Sequence, residues 1–250
     1  MIMKILKEIF ARIWALWAAI AFISTMLIFF IPFLMFCYFR KDPDKTIWFN
    51  RYSRYWINSF LFLTFSPLKI KGRQNFVPGE NYIVLCNHNS FMDVPITTPA
   101  IVGGNKTIAK IELSRIPLFG LLYKTGSVLV DRKNDASRKE SFNKMKDVLN
   151  MGLHMCLYPE GTRNKTNQPM RPFHNGAFRL ALDTGKSMIP AVILNTKKVL
   201  PADKTFYALP HKVEIHFLEP VAALPGEGVE ELRERVHKIM SEYYLRNAGK

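Results

Sequence analysis

The stretch CNHNSFMDVP, residues 86–95, sets a histidine and a carboxylate five positions apart just after an apolar run. An imidazole can take a proton from a hydroxyl if a partner fixes its tautomer and offsets the charge it acquires. A carboxylate does both. Residues five apart in one continuous helix point about 140° away from each other. His88 and Asp93 can therefore meet only if the chain turns between them. Asn89 and Ser90 supply that turn, because either can cap a helix starting near Phe91 with Asp93 in its first turn. The competing reading is an exposed loop histidine followed by a helix-start aspartate, both common where no chemistry is done. Cys86 lies two before His88 and could face the same way on a strand, which makes a Cys–His nucleophile pair conceivable. It also closes an apolar run, where a small buried cysteine is ordinarily core. Without a protein nucleophile, His88 would activate a substrate hydroxyl directly.

A second cluster, LYPEGTRNKTNQPMRPFHNGAF, spans residues 157–178. Arg163 offers planar bidentate donors that fit a phosphate. Gly161 lets the backbone approach a ligand closely, and Glu160 could orient Arg163 or a substrate hydroxyl. The bland alternative is a strand-to-loop turn with a surface ion pair. FHNGAF, residues 173–178, opens a helix whose N–H groups could face an anion. A third group is Asp131–Arg132 at the end of SVLV, joined by Lys110 in IAKIEL, which alternates with apolar neighbours near a strand end. Such a lysine snorkels to water or, beside a phosphate, acts as a point charge.

These residues need elements to hold them. Short β-rich runs are expected at 68–71, 82–86, 107–111, 127–131, 154–158, 188–194 and 213–218, with helical spacing over 137–150, 175–184 and 228–246. Residues 195–212 show no regular pattern. Apolar strands alternating with helices predict an α/β fold, a largely parallel mixed sheet flanked by helices. Ligand sites in such sheets lie beyond the carboxyl ends of the strands, and His88, Arg132 and Glu160–Arg163 all follow expected strands.

The N-terminus is different. Residues 13–39 carry no charge, and 27 helical residues reach roughly 40 Å, more than a bilayer core of about 30 Å. Lys4, Lys7 and Arg12 precede this run, and Arg40, Lys41, Lys45, Arg51 and Arg54 follow it. Basic residues on both flanks fit a helical hairpin dipping into one leaflet, both ends cytoplasmic, better than a single span. Pro32 should kink or break the first helix. Residues 46–67 mix Trp48, Tyr52, Tyr55 and Trp56 with arginines, as interfacial helices do. The expected division is residues 1–66 as membrane-anchoring helices and residues 67–250 as the α/β domain. Three widely spaced cysteines argue against a disulfide framework and fit a reducing compartment. The histidines show no zinc-like spacing. A net charge of +15 attracts polyanions, whether nucleic acid, an acidic protein or an anionic membrane.

Taken together, the set resembles the 1-acylglycerol-3-phosphate acyltransferase family of membrane glycerolipid acyltransferases. Asn87-His88 followed by Asp93 is similar to that family's first block. GSVLVDR (126–132) is similar to its second, YPEGTRN (158–164) to its third, and IPAVI (189–193) to its fourth. Tyr158 and Asn164 stand where the family has Phe and Ser, and the resemblance covers roughly residues 68–220. It implies that His88, oriented by Asp93, deprotonates the free hydroxyl of lysophosphatidic acid for direct attack on an acyl thioester. The donor would be acyl-CoA or an acidic acyl carrier protein. It implies a glycerol-phosphate site at Glu160, Gly161, Thr162 and Arg163, assisted by Lys110 and Arg132, and neither metal nor other cofactor. Membrane lipids are then the expected partners and nucleic acid is not. The expected location is a membrane, the bacterial inner membrane with the catalytic domain on the cytoplasmic side. Rival acceptors are glycerol-3-phosphate, another lysophospholipid or a lyso-aminolipid. A rival of another class is a membrane-anchored polyanion binder, for which His88 and Asp93 would be dispensable.

Overall fold

A computed structural model gives the fold and describes residues 2–131 and 133–248. Arg132 lies outside the described residues. With elements numbered along the chain, seven strands among the described residues form one sheet. Its order is β1 (Leu68–Lys71), β7 (Val213–Phe217), β6 (Met188–Leu194), β2 (Ile83–Cys86), β5 (His154–Leu157), β3 (Asn105–Lys110) and β4 (Ser127–Val130). Neighbours run parallel except β6 and β7. This is the mixed, largely parallel sheet expected from the sequence, with every strand within two residues of its expected bounds.

The central strands β2 and β6 are buried along their whole length, as continuous apolar runs must be when both sheet faces are covered. Alternate side chains serve opposite faces. Ile83 and Leu85 join Met155 and Val192 under α5 (Asp135–Asn150), α6 (Gly176–Thr184) and α8 (Val229–Asn247). Val84, Cys86, Cys156, Ile189 and Ile193 face the other way. They form one apolar cluster with the N-terminal helices and α3 (Asp93–Ala100). The ends of these helices follow local chemistry. Asn134 accepts a hydrogen bond from Ser137 N as the N-cap of α5, and Gly185 closes α6 at φ 65°, a conformation that favours glycine.

The N-terminal hairpin is α1 (Ile2–Phe33), a π-helical turn at Leu34–Tyr38, and α2 (Asp44–Leu63). The helix starts eleven residues before the charge-free run, and Lys4, Lys7, Glu8 and Arg12 fall at i, i+3, i+4 and i+8, on one face of it. Pro32 does not break it at once; the α-helix ends one residue later and widens into the π turn. Small residues Ala11, Ala15 and Ala21 line its buried face, which allows close approach to what it covers. Trp56 Nε1 donates to Thr25 Oγ1 at 3.1 Å, and Trp17 Nε1 to the Leu63 carbonyl at 2.9 Å, tying the two helices together. The outer face of α1 leaves Ile9, Ile13, Leu16, Ile20, Ile23 and Ile28 exposed. The continuous helical stretch Ile2–Tyr38 has 37 residues and contains an 18-residue window with a mean hydropathy of 2.5, long and apolar enough to cross a membrane.

Candidate active site

Four mutually parallel strands, β6, β2, β5 and β3, end on one edge of the sheet. The loop after β2 begins with Asn87. Its Nδ2 donates to the Ile193 carbonyl at 3.0 Å and its Oδ1 accepts from Ile193 N at 2.6 Å. This clamp to β6 fixes where the next residue, His88, leaves the sheet.

The chain then turns, and His88 meets Asp93 as the spacing required. Nδ1 of the ring lies 2.9 Å from Asp93 Oδ2. The helix α3 starts two residues later than expected, so Asp93 is its first residue. Its carboxylate points back into the loop, where the same Oδ2 accepts from Asn89 N at 2.5 Å and Ser90 N at 2.7 Å. Ser90 Oγ accepts from Met92 N at 3.1 Å and donates to the Leu200 carbonyl at 2.6 Å. Asp93 is fully buried and the His88 side chain is 19% exposed. An ionised carboxylate can only accept, so Nδ1 carries the hydrogen and Nε2 is the nitrogen able to take a proton.

The loop after β5 packs against this one. Glu160, 2% exposed, does not orient Arg163. Its Oε1 accepts from His88 N at 2.7 Å and its Oε2 from Arg171 N at 2.9 Å. The carboxylate thus joins the two loops through backbone groups, and burial pushes its pKa up against the pull of those donors. Asn164 N donates to the His88 carbonyl at 2.6 Å. Gly161 sits at φ +67°, and a Cβ there would lie 2.8 Å from the His174 ring; both conditions select glycine. The Tyr158 ring lies tilted at 43° to the His88 ring with their centroids 4.7 Å apart, and burial raises its hydroxyl pKa. Arg163, half-buried, lays its guanidinium 3.5 Å from the centroid of the exposed Phe91 ring, with Thr162 exposed beside it.

Lys110 ends β3, exposed, on the same sheet edge and separated from β2 by β5. Cys86 is fully buried with its Sγ 3.8 Å from Cys156 Sγ, and burial pushes its thiol pKa up. It is a core residue in thiol form rather than a nucleophile. Lys197 is a cation the sequence reading missed. It projects from the one-turn helix α7 (Thr196–Val199), donates to the Thr166 carbonyl at 3.1 Å and feels both Glu160 and Asp93. Only the return of the chain from β6 brings it there, and no local pattern announces that. Among the described residues no cluster of three or more His, Cys, Asp or Glu could hold a metal ion. Behind α3, a cavity of about 80 Å³ opens between its residues Val94, Pro95 and Thr98 and the hairpin residues Phe22, Phe49 and Trp56.

The chain is similar to known proteins in sequence and in fold. A family model described as Acyltransferase matches residues 67–194. The 1-acyl-sn-glycerol-3-phosphate acyltransferase of Cocos nucifera is 32% identical over 149 residues, 59% of this chain and 47% of that protein. The protein of the same description from Helicobacter pylori is 29% identical over 214 residues, covering 84% of this chain and 87% of the relative. The chain spans about half the length of the coconut and Chlamydomonas reinhardtii relatives. In fold, it superimposes on the crystal structure of the 1-acyl-sn-glycerophosphate (LPA) acyltransferase PlsC from Thermotoga maritima. The TM-score is 0.81 at 22% identity, covering 98% of each chain.

Proposed function

Because the chain belongs to the acyltransferase family, we propose that it moves a fatty acyl group from an acyl thioester to the sn-2 hydroxyl of 1-acylglycerol-3-phosphate, giving phosphatidic acid. The observation that carries this reading is the 2.9 Å contact between His88 Nδ1 and a fully buried Asp93. Nε2 of His88 takes the hydroxyl proton as the oxygen attacks the thioester carbonyl. The tetrahedral intermediate collapses, the C–S bond breaks, and the leaving thiolate takes the proton back from Nε2. Asp93 stays ionised throughout and stabilises the imidazolium. A general base of this kind contributes about 10²–10⁴ in rate. No covalent enzyme intermediate is needed, in keeping with a Cys86 sealed in the core.

Arg163 binds the acceptor phosphate in this proposal, with Gly161 and Thr162 at the same turn, with Lys110 at the end of β3 and with Arg132, which lies outside the described residues. Glu160 serves that subsite by holding its loop. The acyl chain enters between α3 and the hairpin. The present opening of about 80 Å³ is well below the ~300–1,000 Å³ of ligand pockets, so the hairpin must part from α3 to admit it. The exposed apolar face of α1 lies in one leaflet, and the +15 charge holds the domain to anionic lipid at ~1 kcal/mol per nearby Lys or Arg. The proposed location in a bacterial cell is the cytoplasmic side of the inner membrane, with acyl-CoA or acyl carrier protein as the proposed acyl donor.

The test uses membranes carrying the full chain, lysophosphatidic acid and a labelled acyl thioester. Phosphatidic acid forms with wild type and Cys86→Ala and is lost in His88→Ala. Arg163→Ala raises KM for lysophosphatidic acid and leaves KM for the donor unchanged. Equal turnover in His88→Ala removes the proposed base; acylation of glycerol-3-phosphate in preference to lysophosphatidic acid overturns the acceptor.

A further inference from the structure

The segment after β6, residues 195–211, builds a second concave site next to the catalytic loop. Asn195, at φ 69°, turns the chain out of the sheet into α7. The chain then folds back on the first turns of α1. Ala208 N donates to the Ala11 carbonyl at 3.2 Å, Arg12 Nη1 to the Phe206 carbonyl at 3.1 Å, and Lys204 Nζ pairs with Glu8 Oε1 at 2.5 Å. These contacts bring Lys7 of the apolar helix opposite Lys197 and Lys198, about 190 positions away in the chain. Between them lies a cavity of about 460 Å³.

Its charge is one-sided. Lys7, Lys197, Lys198 and Lys204 line it, against Asp203 alone among carboxylates. Lys204 is already engaged, both by Glu8 and by the Tyr207 ring 4.1 Å away. Lys7 and Lys198 are exposed and make no ion pair among the described residues, and Lys197 has one carbonyl partner. Apolar surface completes the wall through Phe10, Tyr207 and two prolines. Three cations with spare donors beside aromatic and proline surface match a phosphorylated nucleoside: phosphates for the ammonium groups, base and ribose for the apolar wall. The volume lies in the ~300–1,000 Å³ range of small-ligand sites. A carrier protein would ask instead for a broad face of about 800 Å².

The cavity also communicates with the reaction. Lys197 lines it while interacting electrostatically with Asp93 and Glu160, and the Leu200 carbonyl takes the hydrogen bond of Ser90 in the catalytic turn. Arg163 is assigned to the acceptor phosphate, so a second phosphate site beside the same histidine belongs to the other substrate. We propose that this cavity binds the phosphorylated nucleotide end of a coenzyme A thioester, with Lys7 and Lys198 as phosphate ligands and Lys197 at the passage towards His88. The inference rests on the acyl-transfer reading above.

Two measurements on the full chain in detergent micelles test it: binding of adenosine 3′,5′-bisphosphate against adenosine 5′-monophosphate, and initial rates with palmitoyl-CoA against palmitoyl-dephospho-CoA. Wild type should favour the bisphosphate and the 3′-phosphorylated donor. Lys7→Ala and Lys198→Ala should each raise the palmitoyl-CoA KM roughly fivefold. The double variant should lose both preferences and keep the wild-type kcat and KM for lysophosphatidic acid. Lys139→Ala, an exposed lysine on α5, controls for general surface charge and should change nothing. Nucleotide binding that fails in the double variant, in a protein that acylates nothing, supports the cavity and sinks the acyl-transfer reading instead. The proposal is overturned if wild type ignores the 3′-phosphate, if the double variant keeps the preference, or if only acyl carrier protein serves as donor. It is equally overturned if the variants lose binding to phosphatidylglycerol vesicles while the palmitoyl-CoA KM holds, which would make the cavity a lipid-phosphate site.

Discussion

Asp93→Asn isolates the charge of the carboxylate from its structural work. Oδ2 alone takes the three donors His88 Nδ1, Asn89 N and Ser90 N, and Oδ1 has no hydrogen-bond partner among the described residues. An asparagine with its carbonyl oxygen in the place of Oδ2 keeps all three bonds and puts its NH2 where nothing is displaced. The loop should therefore survive, and what disappears is the attraction between the carboxylate and the imidazolium formed during reaction. At the 2.9 Å separation that attraction is about 6 kcal/mol for an effective dielectric of ~20. Water reaches the ring, whose side chain is 19% exposed, and screens part of it. We expect a loss of roughly 3–6 kcal/mol in transition-state stabilisation, or about two to four decades in kcat. The assay is kcat at saturating lysophosphatidic acid and acyl thioester, with circular dichroism and the unfolding midpoint as controls. A folded Asp93→Asn protein within about fivefold of wild-type kcat would refute charge stabilisation of His88. A kcat deficit accompanied by a collapsed midpoint would show that the donors, not the charge, were lost.

Two further outcomes follow from buried groups away from the proton transfer. Glu160→Ala leaves the His88 and Arg171 N–H groups without their acceptor, at roughly 1–3 kcal/mol each. Its urea midpoint should fall well below that of wild type, and an unchanged midpoint would mean that the two loops are held otherwise. His154, the first residue of β5 and so at the sheet edge opposite the site, accepts from Tyr82 N at 3.0 Å, and burial lowers its pKa from 6.5 to about 4. The unfolded chain thus binds the proton first as pH falls, so stability present above pH 6.5 is lost between there and about 4, approaching ~3 kcal/mol. Unfolding midpoints measured from pH 7 to pH 4 should show this slope in wild type and a weaker one in His154→Gln; parallel slopes would assign the acid sensitivity elsewhere.

What could be read from the sequence, and what could not, divides along physical lines. β2 and β6 were legible because a strand covered on both faces is a continuous apolar run, and the helices α5, α6 and α8 carry apolar residues at regular spacing. The His88–Asp93 contact was legible because a turn is the one way to join residues five apart. The helix α4 (Phe119–Gly126) was not: it is short, its entering residue Leu118 has φ 61°, and no side chain caps it. The role of Glu160 was also hidden, because backbone N–H groups 72 and 11 residues away leave no mark in residue type. Lys197 lay in the stretch without periodicity, and its nearness to Asp93 is set by the crossover from β6 rather than by anything adjacent to it.

The two buried carboxylates argue for a division of labour within the site. Glu160 accepts from the N–H of His88 itself and Asp93 from those of Asn89 and Ser90, and Asn87 clamps the same loop to β6. The base is therefore held by short, buried, charge-assisted contacts that need no rearrangement during reaction, which is the condition for an electrostatic contribution in the transition state. The cations are held differently. Arg163 rests on an exposed phenyl ring, and Lys110 and Lys198 end in solvent; each must give up side-chain freedom to meet a phosphate. Such contacts form as substrate binds and persist through the reaction, so they act on ground state and transition state alike and appear in KM. Variants of the buried set should then lower kcat while variants of the exposed cations raise KM. A cation variant that cut kcat as deeply as Asp93→Asn would mean that its phosphate contact tightens only in the transition state, and the rigid loop would no longer account for catalysis by itself.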